Sequence, residues 1–230
     1  MIANTITVII PLYNTEKYIV EAIESLINQT RRVDQIIVVN DGSTDSSISQ
    51  LSKFPSLEIY QKENSGIVDT LNLGLSKATG DFIGFLDADD RYRNNKLEIQ
   101  SDLLQKNKNV DVVFGGSINF KINPITQKEE ILKKILGKGF NLGLYRRSVF
   151  EKVGNLILNP SLNYVIEWHD RANHFEIQNL SHNEIVYERR IHDSNTGILN
   201  KEKHNLEYLN TIKASLDRRR AINTSTNEPK

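Results

Sequence analysis

Apolar and polar residues follow two different periods along the first half of the chain. Continuous apolar runs, such as residues 36–39, predict strands that are covered on both faces of a sheet. Between these runs, apolar residues recur at helical spacing, as at Ile19, Ile23 and Leu26. The pattern predicts strands at 7–12, 35–40, 57–61 and 81–87, and helices at 16–28, 45–54 and 67–78. Strands that alternate with helices favour right-handed βαβ units on a mostly parallel central sheet, a Rossmann-like α/β arrangement.

The second half of the chain lacks this regular alternation. The pattern there predicts helices at 95–106, 147–153 and 164–174, and strands at 110–114 and 185–190. We expect the lysine-rich segment 121–138 to be a solvated, mobile loop. Apolar residues at helical spacing within 201–220 predict a last helix that packs against the domain or a partner. We expect a flexible tail at 221–230. The whole pattern is typical of one domain over residues 1–220.

Composition narrows the classes of partner. The 230 residues are 38% hydrophobic, which is enough for one domain with its own core. The 29 basic and 29 acidic residues give a net charge of zero, so we expect no nucleic-acid partner. The chain has no cysteine and no apolar stretch of about 18 residues, so we expect no disulfide and no transmembrane segment. These features indicate a cytoplasmic protein, or one that is peripheral at a membrane, and leave the oligomeric state open.

Three carboxylates follow a strand that is expected to be buried. The apolar run 82–86 ends in Asp87, Ala88, Asp89 and Asp90. A buried carboxylate is costly unless a cation, a basic partner or solvent compensates its charge, so the cluster indicates one of these. In open α/β sheets, ligands bind at the carboxyl ends of the strands, where this cluster falls.

Polar residues also follow the first two predicted strands. Pro11, Tyr13 and Asn14 end the first strand, and Asp41 follows the second. Since both strand ends meet at one sheet edge, we expect a crevice in which Asp41 accepts a hydrogen bond from a ring N–H while backbone near Pro11 holds a sugar. The segment 40–45 equally suits a plain turn with a helix cap, so both interpretations stay open at this point.

A third polar segment precedes the helix predicted at 67–78. Asn64 and Gly66 form a flexible entry to this helix, and Asp69 lies in its first turn. A helix N-terminus beside the aspartate cluster suits a diphosphate group, because its backbone N–H groups point toward the anion. We therefore expect this segment to lie against the same ligand.

Together these segments resemble the signature blocks of a known enzyme family. The blocks are residues 8–14, 35–45, 64–66 and 85–90. In order and spacing they are similar to the blocks of family 2 glycosyltransferases. The resemblance implies the glycosyltransferase-A fold, a nucleotide-diphosphate-sugar donor of the uridine form, and transfer with inversion at the anomeric carbon. Residues 1–95 then bind donor and metal, and residues 96–200 shape the site for an unknown glycan, lipid-linked or protein acceptor.

The resemblance also implies roles for individual residues. Asp87 and Asp89 correspond to the metal and ribose site, with His192 as a further metal ligand, and hard oxygen ligands suit Mg²⁺ or Mn²⁺. Arg190 corresponds to a contact with the diphosphate. The other donor-binding residues are Pro11, Tyr13, Asn14, Asp41, Asn64, Gly66, Asp69 and Ala88.

A catalytic base is expected in the second half, because inverting transfer requires deprotonation of the acceptor hydroxyl. The segment 166–171 resembles the acidic block of the family, although Ile166 stands where the first acid is expected. Glu167 aligns as the base, and Asp170 is the second candidate. The other interpretation of Glu167, as a surface residue of a helix beside a packed Trp168, stays open.

The resemblance implies an enzyme of polysaccharide or glycoconjugate biosynthesis, and two alternatives remain. A catalytically silent sugar-nucleotide-binding module is compatible with the missing acid at Ile166. A sugar nucleotidyltransferase shares the sheet and the metal chemistry, but it normally has an early glycine-rich basic loop, which residues 11–17 lack. The chain contains no Gly-x-x-x-x-Gly-Lys-Ser/Thr segment, which argues against a P-loop ATPase.

Overall fold

The structure is a computed structural model that describes residues 4–159, 161–195, 206–207, 209–214 and 216–217. Its strands are β1 (Ile6–Leu12), β2 (Gln35–Asp41), β3 (Glu58–Lys62), β4 (Phe82–Phe85), β5 (Arg91–Tyr92), β6 (Val112–Ile122), β7 (Glu129–Leu136), β8 (Gly143–Arg146) and β9 (Asn179–Arg190). Its helices are α1 (Ile19–Ile27), α2 (Ser47–Gln50), α3 (Ile67–Lys77), α4 (Lys96–Lys106), α5 (Arg147–Val153) and α6 (Tyr164–His174). Among the described residues, no helix is both long and apolar enough to cross a membrane.

The first half of the sheet is parallel and buried. Its strand order is β3-β2-β1-β4, with β1 parallel to both of its neighbours. Ile9, Val38 and Ile83 of the three inner strands are fully buried, as expected for continuous apolar runs covered on both faces. Gly74 lets α3 approach β1 closely, because a Cβ at this position would lie 2.4 Å from Ile9 Cγ2. The predicted strands and their parallel order are therefore confirmed in this half.

The second half of the sheet is mixed. β8 pairs antiparallel with β4 and with the start of β6, and β9 runs parallel to β6. The short β5 pairs antiparallel with the end of β9. Because β5 directly follows Asp90 in the chain, this pairing brings the end of β9 beside the aspartate cluster.

The lysine-rich segment 121–138 is not the loop that its composition predicts. Residues Glu129–Leu136 form β7, which pairs antiparallel with β6. The prediction was wrong because β7 is largely exposed on both faces, so its sequence lacks the alternation of a half-buried strand. The strands β6 and β9 are also longer than predicted, and β5 and β8 were not predicted.

Two predicted helices differ from the structure in extent or coverage. Of residues 45–54, Ser47–Gln50 form an α-helix and Leu51–Lys53 a 3-10 turn. In the helix predicted at 201–220, residues 206–207, 209–214 and 216–217 are helical, while its other residues and the tail at 221–230 lie outside the described residues. Thr211 is buried there, and its hydroxyl oxygen accepts a hydrogen bond from the Asn163 N–H at 2.8 Å. This segment therefore packs against the start of α6.

Gly80 provides a test of the packing between the α3–β4 turn and β1. A methyl group at Gly80 would lie 2.6 Å from the backbone nitrogen of Thr7, which is closer than contact distance. We expect Gly80→Ala to lower the free energy of unfolding by about 2 kcal/mol, because the backbone must shift. Among the described residues, a methyl group at Gly137 meets no atom within 4 Å, so Gly137→Ala should change stability by less than about 0.5 kcal/mol. Urea denaturation measures both, and equal stabilities would contradict this packing.

Candidate functional site

The polar ends of three parallel strands meet at one edge of the sheet. Pro11 lies near the end of β1, Asp41 ends β2, and Asp87 follows β4 by two residues. Because β1 is parallel to β2 and β4, these carboxyl ends lie side by side. The polar segments that were predicted to converge are brought together.

Asp41 organises the loop that enters α3. Its buried carboxylate accepts hydrogen bonds from the backbone N–H groups of Ser65 and Gly66, each at 2.9 Å, and from Lys62 Nζ. Burial by itself would raise the pKa of Asp41, but the bonds from Lys62, Ser65 and Gly66 outweigh it and hold the pKa below its usual range. A ligand at this edge therefore meets an ionised carboxylate that is already fixed in place.

Asparagine at position 41 should destabilise the protein in a pH-dependent way. We expect Asp41→Asn to cost about 3 kcal/mol near neutral pH, because the charge that accepts three hydrogen bonds is lost. Since the folded pKa of Asp41 is depressed, its contribution is fully present above the unfolded pKa of about 3.9 and disappears as the pH falls through the folded pKa. Urea denaturation of wild type and variant between neutral pH and about pH 3 measures this. A difference that stayed constant over this range would contradict the assignment.

The backbone near Asp41 requires glycine at two positions. Gly42 and Gly66 have φ angles of +73° and +94°, which side-chain-bearing residues rarely adopt. A Cβ on Gly42 would lie 3.0 Å from the backbone nitrogen of Asn64, so the two loops are in contact. Asn64 is exposed, as is Asp69 in the first turn of α3.

The end of β1 is fastened to the loop that follows β2. Asn14 has a φ of +49°, and its side-chain oxygen accepts a hydrogen bond from the Thr44 N–H at 2.9 Å. The Asn14 N–H donates to Ser43 Oγ at 3.1 Å. Pro11 is partly buried in β1, whereas Tyr13 is 50% exposed. The predicted donor residues of both strands thus lie in connected segments at the same edge of the sheet.

Asp87 and Asp90 form the inner part of the aspartate cluster. Asp87 accepts a hydrogen bond from Asn141 Nδ2 at 2.5 Å, and Asp90 accepts one from the Tyr187 hydroxyl at 2.7 Å. Burial and the adjacent charge of Asp89 raise the pKa of Asp87 to about 7. Burial and the charges of Asp87 and Asp89 also raise the pKa of Asp90 well above its usual range. The surrounding protein therefore disfavours the ionised forms of both carboxyl groups, mainly because they are buried.

Asp89 is joined to the loop that follows β9. A carboxylate oxygen of Asp89 lies 3.0 Å from His192 Nε2 and 3.2 Å from Asn195 Nδ2. The His192 ring stacks on Tyr18 with 4.6 Å between the ring centroids, and its Nδ1 lies 2.8 Å from Ser194 Oγ. Asp89 and His192, which the family resemblance implies as metal ligands, are far apart in the sequence. In the structure their side chains are in contact.

The donor set fits a divalent cation that is shared with a diphosphate. Asp89 and His192 offer an oxygen and a nitrogen ligand side by side. The negative charge of Asp89, after burial, raises the pKa of Asp87, so the two carboxyl groups are close to each other. Over the described ranges, no group of three or more histidine, aspartate or glutamate side chains is arranged to hold a metal ion by itself. Mg²⁺ in nucleotide sites commonly takes one or two carboxylates and completes its coordination with phosphate oxygens and water. The residues therefore suit a cation that arrives with its nucleotide.

The two arginines at the end of β9 have different surroundings. Arg190 is buried, donates from Nε to the Asp89 carbonyl oxygen at 3.1 Å, and forms an ion pair with Glu21. Arg189 is exposed. Burial and Asp89 raise the pKa of Asp87, while the positive charge of Arg189 acts in the opposite direction, which places Arg189 near that carboxylate. Arg190, for which the resemblance implies a diphosphate contact, is thus engaged with the aspartate loop and Glu21, whereas Arg189 is an exposed positive charge that acts on Asp87.

The start of helix α6 lies within electrostatic range of the aspartate cluster. Burial, followed by the negative charge of Asp87, raises the pKa of Tyr164 at the start of this helix. Glu167 is buried one turn later, and its carboxylate oxygens accept hydrogen bonds from Arg171 at 2.8 and 3.1 Å. Asp170 is also buried. The interpretation of Glu167 as a surface residue is therefore wrong.

Three further residues at the site were not predicted. Asn141 donates to Asp87, the Tyr187 hydroxyl lies 3.2 Å from Asn141 Nδ2, and Tyr18 supports His192. Their sequence surroundings contain no motif. The one available signal is that Tyr187 precedes Arg189 by two residues, so both side chains share a face of β9.

Comparison with known proteins gives consistent matches. The sequence model described as "Glycosyl transferase family 2" matches residues 7–164. An uncharacterized glycosyltransferase of Rickettsia bellii is 42% identical over 152 residues, which cover 64% of this chain and 20% of that protein. The chondroitin synthase of Pasteurella multocida is 26% identical over 246 residues, covering 97% of this chain and 24% of that protein. The chain spans about a fifth of the length of several of these relatives.

Solved structures share the fold. The structure of S. aureus TarS 1–349 in complex with UDP-GlcNAc has a TM-score of 0.67 and 20% sequence identity, over 83% of this chain and 60% of that chain. The structure of TarS 1–349 in complex with UDP has a TM-score of 0.63 and 21% identity, over 81% of this chain and 60% of that chain. The likeness extends over the curled, mostly parallel sheet.

Proposed function

The chain belongs to glycosyl transferase family 2, and from this premise we propose that it transfers a sugar from a nucleotide-diphosphate donor to an acceptor hydroxyl. The predicted glycosyltransferase-A fold agrees with this family and is confirmed by the structural likeness. We propose a UDP-sugar as the donor, a choice supported by the complexes of TarS with UDP-GlcNAc and with UDP. The proposed acceptor is a hydroxyl of a glycan, lipid-linked or protein molecule that enters along residues 96–195.

The contact between Asp89 and His192 is the observation that carries this proposal. The two side chains meet at the carboxyl edge of the sheet, 3.0 Å apart, although they are 103 positions apart in sequence. The pKa of Asp87 is raised by burial and by Asp89, so the protein by itself disfavours the ionised form of this carboxyl group. A cation bound with a diphosphate would favour that ionised form, whereas a neutral ligand would not.

The residues at this sheet edge give the donor one orientation. We propose that Asp41 and Pro11 contact the base and ribose, and that exposed Arg189 donates charge-assisted hydrogen bonds to the diphosphate. Mg²⁺ or Mn²⁺ held by Asp89 and His192 would neutralise the charge that develops on the leaving diphosphate. With the donor held in this way, the anomeric carbon faces the start of α6.

We propose Glu167 as the base. Its carboxylate would take the proton of the acceptor hydroxyl as that oxygen attacks the anomeric carbon, while the bond to the nucleotide diphosphate breaks. The pairing with Arg171 fixes the position of the carboxylate. Asp170, which is buried on the same helix, is the second candidate for this role.

A catalytically silent sugar-nucleotide-binding module is the second candidate function. It is favoured by the ion pair that engages Glu167 with Arg171, together with Ile166 at the position of the first expected acid. The two candidates share the donor site and differ only in turnover.

Release of UDP separates the two candidates. UDP-glucose, UDP-galactose and UDP-GlcNAc are incubated with the chain, Mn²⁺ and a panel of oligosaccharide acceptors, and calorimetry measures donor binding in parallel. The enzyme predicts binding together with acceptor-dependent release of UDP. Binding without release from any acceptor supports the silent module, and absence of binding by every donor contradicts both.

A further inference from the structure

The outer edge of β7 is open. Within the described residues, β7 pairs with β6 alone, so the N–H and C=O groups on its other edge have no strand partner. Ile131 and Leu132 of this strand are 58% and 48% exposed. An open edge with exposed apolar side chains is a template for pairing with another strand.

The sequence of β7 is complementary to itself. Residues 129–134 read Glu-Glu-Ile-Leu-Lys-Lys. If two copies of this strand run antiparallel about the centre of the segment, Glu129 faces Lys134 of the second copy and Glu130 faces Lys133. The two apolar residues then face each other at the centre. Opposite charges and apolar pairs placed directly across from each other stabilise antiparallel strands.

A two-fold axis imposes a further condition on such pairing. The axis keeps each face of the strand on the same side, so residues that pair across it must already share a face. In a regular strand, Glu130 and Lys133 are an odd number of positions apart and point to opposite faces. Glu130 of one copy and Lys133 of the other would then point to opposite faces and could not pair.

The bulge in the β6–β7 hairpin removes this conflict. The register shifts between Asn119 and Phe120, so that Glu130 lies opposite Lys121 while Lys133 lies opposite Asn119. Lys121 and Asn119 are two positions apart on β6 and share a face, and therefore Glu130 and Lys133 share a face as well. By the same register, Glu129 lies opposite Ile122 and Lys134 lies opposite Ile118. Because Ile118 and Ile122 share the other face of β6, Glu129 and Lys134 also share that face.

The charged groups are accessible for this pairing. The side chains of Lys133 and Lys134 are exposed and form no hydrogen bond or ion pair with another described residue. Glu129 and Glu130 pair with Arg91 at 2.7 Å and Lys121 at 3.1 Å, yet their side chains remain 43% and 41% exposed. A second copy would give both lysines a partner.

We infer that β7 pairs antiparallel with β7 of a second copy of this chain about a two-fold axis. The pairing joins the two sheets, covers Ile131 and Leu132, and places four Glu–Lys pairs across the axis. One strand pair buries less surface than a permanent dimer interface, so the association is weak and depends on concentration. This inference does not depend on the proposed enzymatic function.

Charge-reversal substitutions at positions 130 and 133 test the inference. Sedimentation velocity of the wild-type chain at about 200 μM, a concentration chosen for a weak interface, should show a species of twice the 26.3 kDa monomer mass. Lys133→Glu and Glu130→Lys should each sediment as monomers, because like charges then meet twice across the axis. An equimolar mixture of these two variants should restore the dimer, since both cross-axis pairs become opposite in charge. Lys108→Glu changes the same charge at an exposed position outside β7 and should leave the dimer intact.

Three results would overturn this inference. The first is a wild-type chain that stays monomeric at the highest concentration. The second is a Lys133→Glu variant that dimerises like the wild type. The third is a mixture of the two single variants that remains monomeric while circular dichroism shows that both are folded.

Discussion

Replacing Asp89 with asparagine should lower the rate of sugar transfer about 10³-fold. Asparagine keeps the shape of the side chain and an oxygen near His192, 3.0 Å away in the wild type, but it lacks the charge that holds a divalent cation. The lost stabilisation of the leaving diphosphate is about 4 kcal/mol, which corresponds to this factor. Release of UDP under saturating donor measures the effect.

Asp193 offers a matched control for this substitution. It is exposed and adjacent to His192, so Asp193→Asn removes the same charge from the same loop without touching the proposed cation ligands. We expect its rate to stay within about twofold of the wild type, as is usual for a surface substitution. Equal losses in the two variants, or a wild-type rate in Asp89→Asn, would show that Asp89 has no specific role in transfer.

Glutamine at position 167 should lower the turnover number about 10³-fold and leave donor affinity unchanged. General base catalysis contributes about 10² to 10⁴ to a rate, and glutamine cannot accept the proton. Donor affinity is expected to persist, because Asp41, Asp89 and His192 are not altered. Turnover with a fixed acceptor and calorimetric titration of UDP measure the two quantities separately.

Glu167 also has a structural role that must be separated from the chemical one. Its buried ion pair with Arg171 is broken in Glu167→Gln, so we expect a loss of stability of about 3 kcal/mol. Asp170→Asn, on the same helix, is the comparison for the chemistry. Full turnover by folded Glu167→Gln together with an inactive Asp170→Asn would transfer the role of base to Asp170.

The parallel half of the sheet could be predicted from the sequence because burial determines its composition. Strands β1, β2 and β4 are covered on both faces, so their apolar runs are continuous and bounded by turns. β7 carries no such signal, since its side chains are exposed and its strand conformation comes from pairing with β6. The two-residue β5 is too short to produce a pattern of its own.

The candidate site could be predicted only in part, for a related reason. Asp41 ends a strand of the predictable half, and Asp87 and Asp89 follow another, so their convergence was expected. The approach of His192 to Asp89 depends on the pairing of β5 with β9, which local periodicity does not reveal, and it was expected only from the family resemblance. Asn141 reaches Asp87 from the chain before β8, a strand that was not predicted.

Calorimetric titration of UDP with and without Mn²⁺ tests the donor site most directly. The proposal predicts that the wild type and Asp193→Asn bind UDP in the presence of Mn²⁺, and that affinity falls at least about tenfold when Mn²⁺ is omitted, a difference of about 1.4 kcal/mol. Asp89→Asn should bind UDP equally weakly with and without the cation. Metal-independent binding that Asp89→Asn retains, or no binding of UDP by the folded wild type under either condition, would contradict a donor site built on Asp89 and His192.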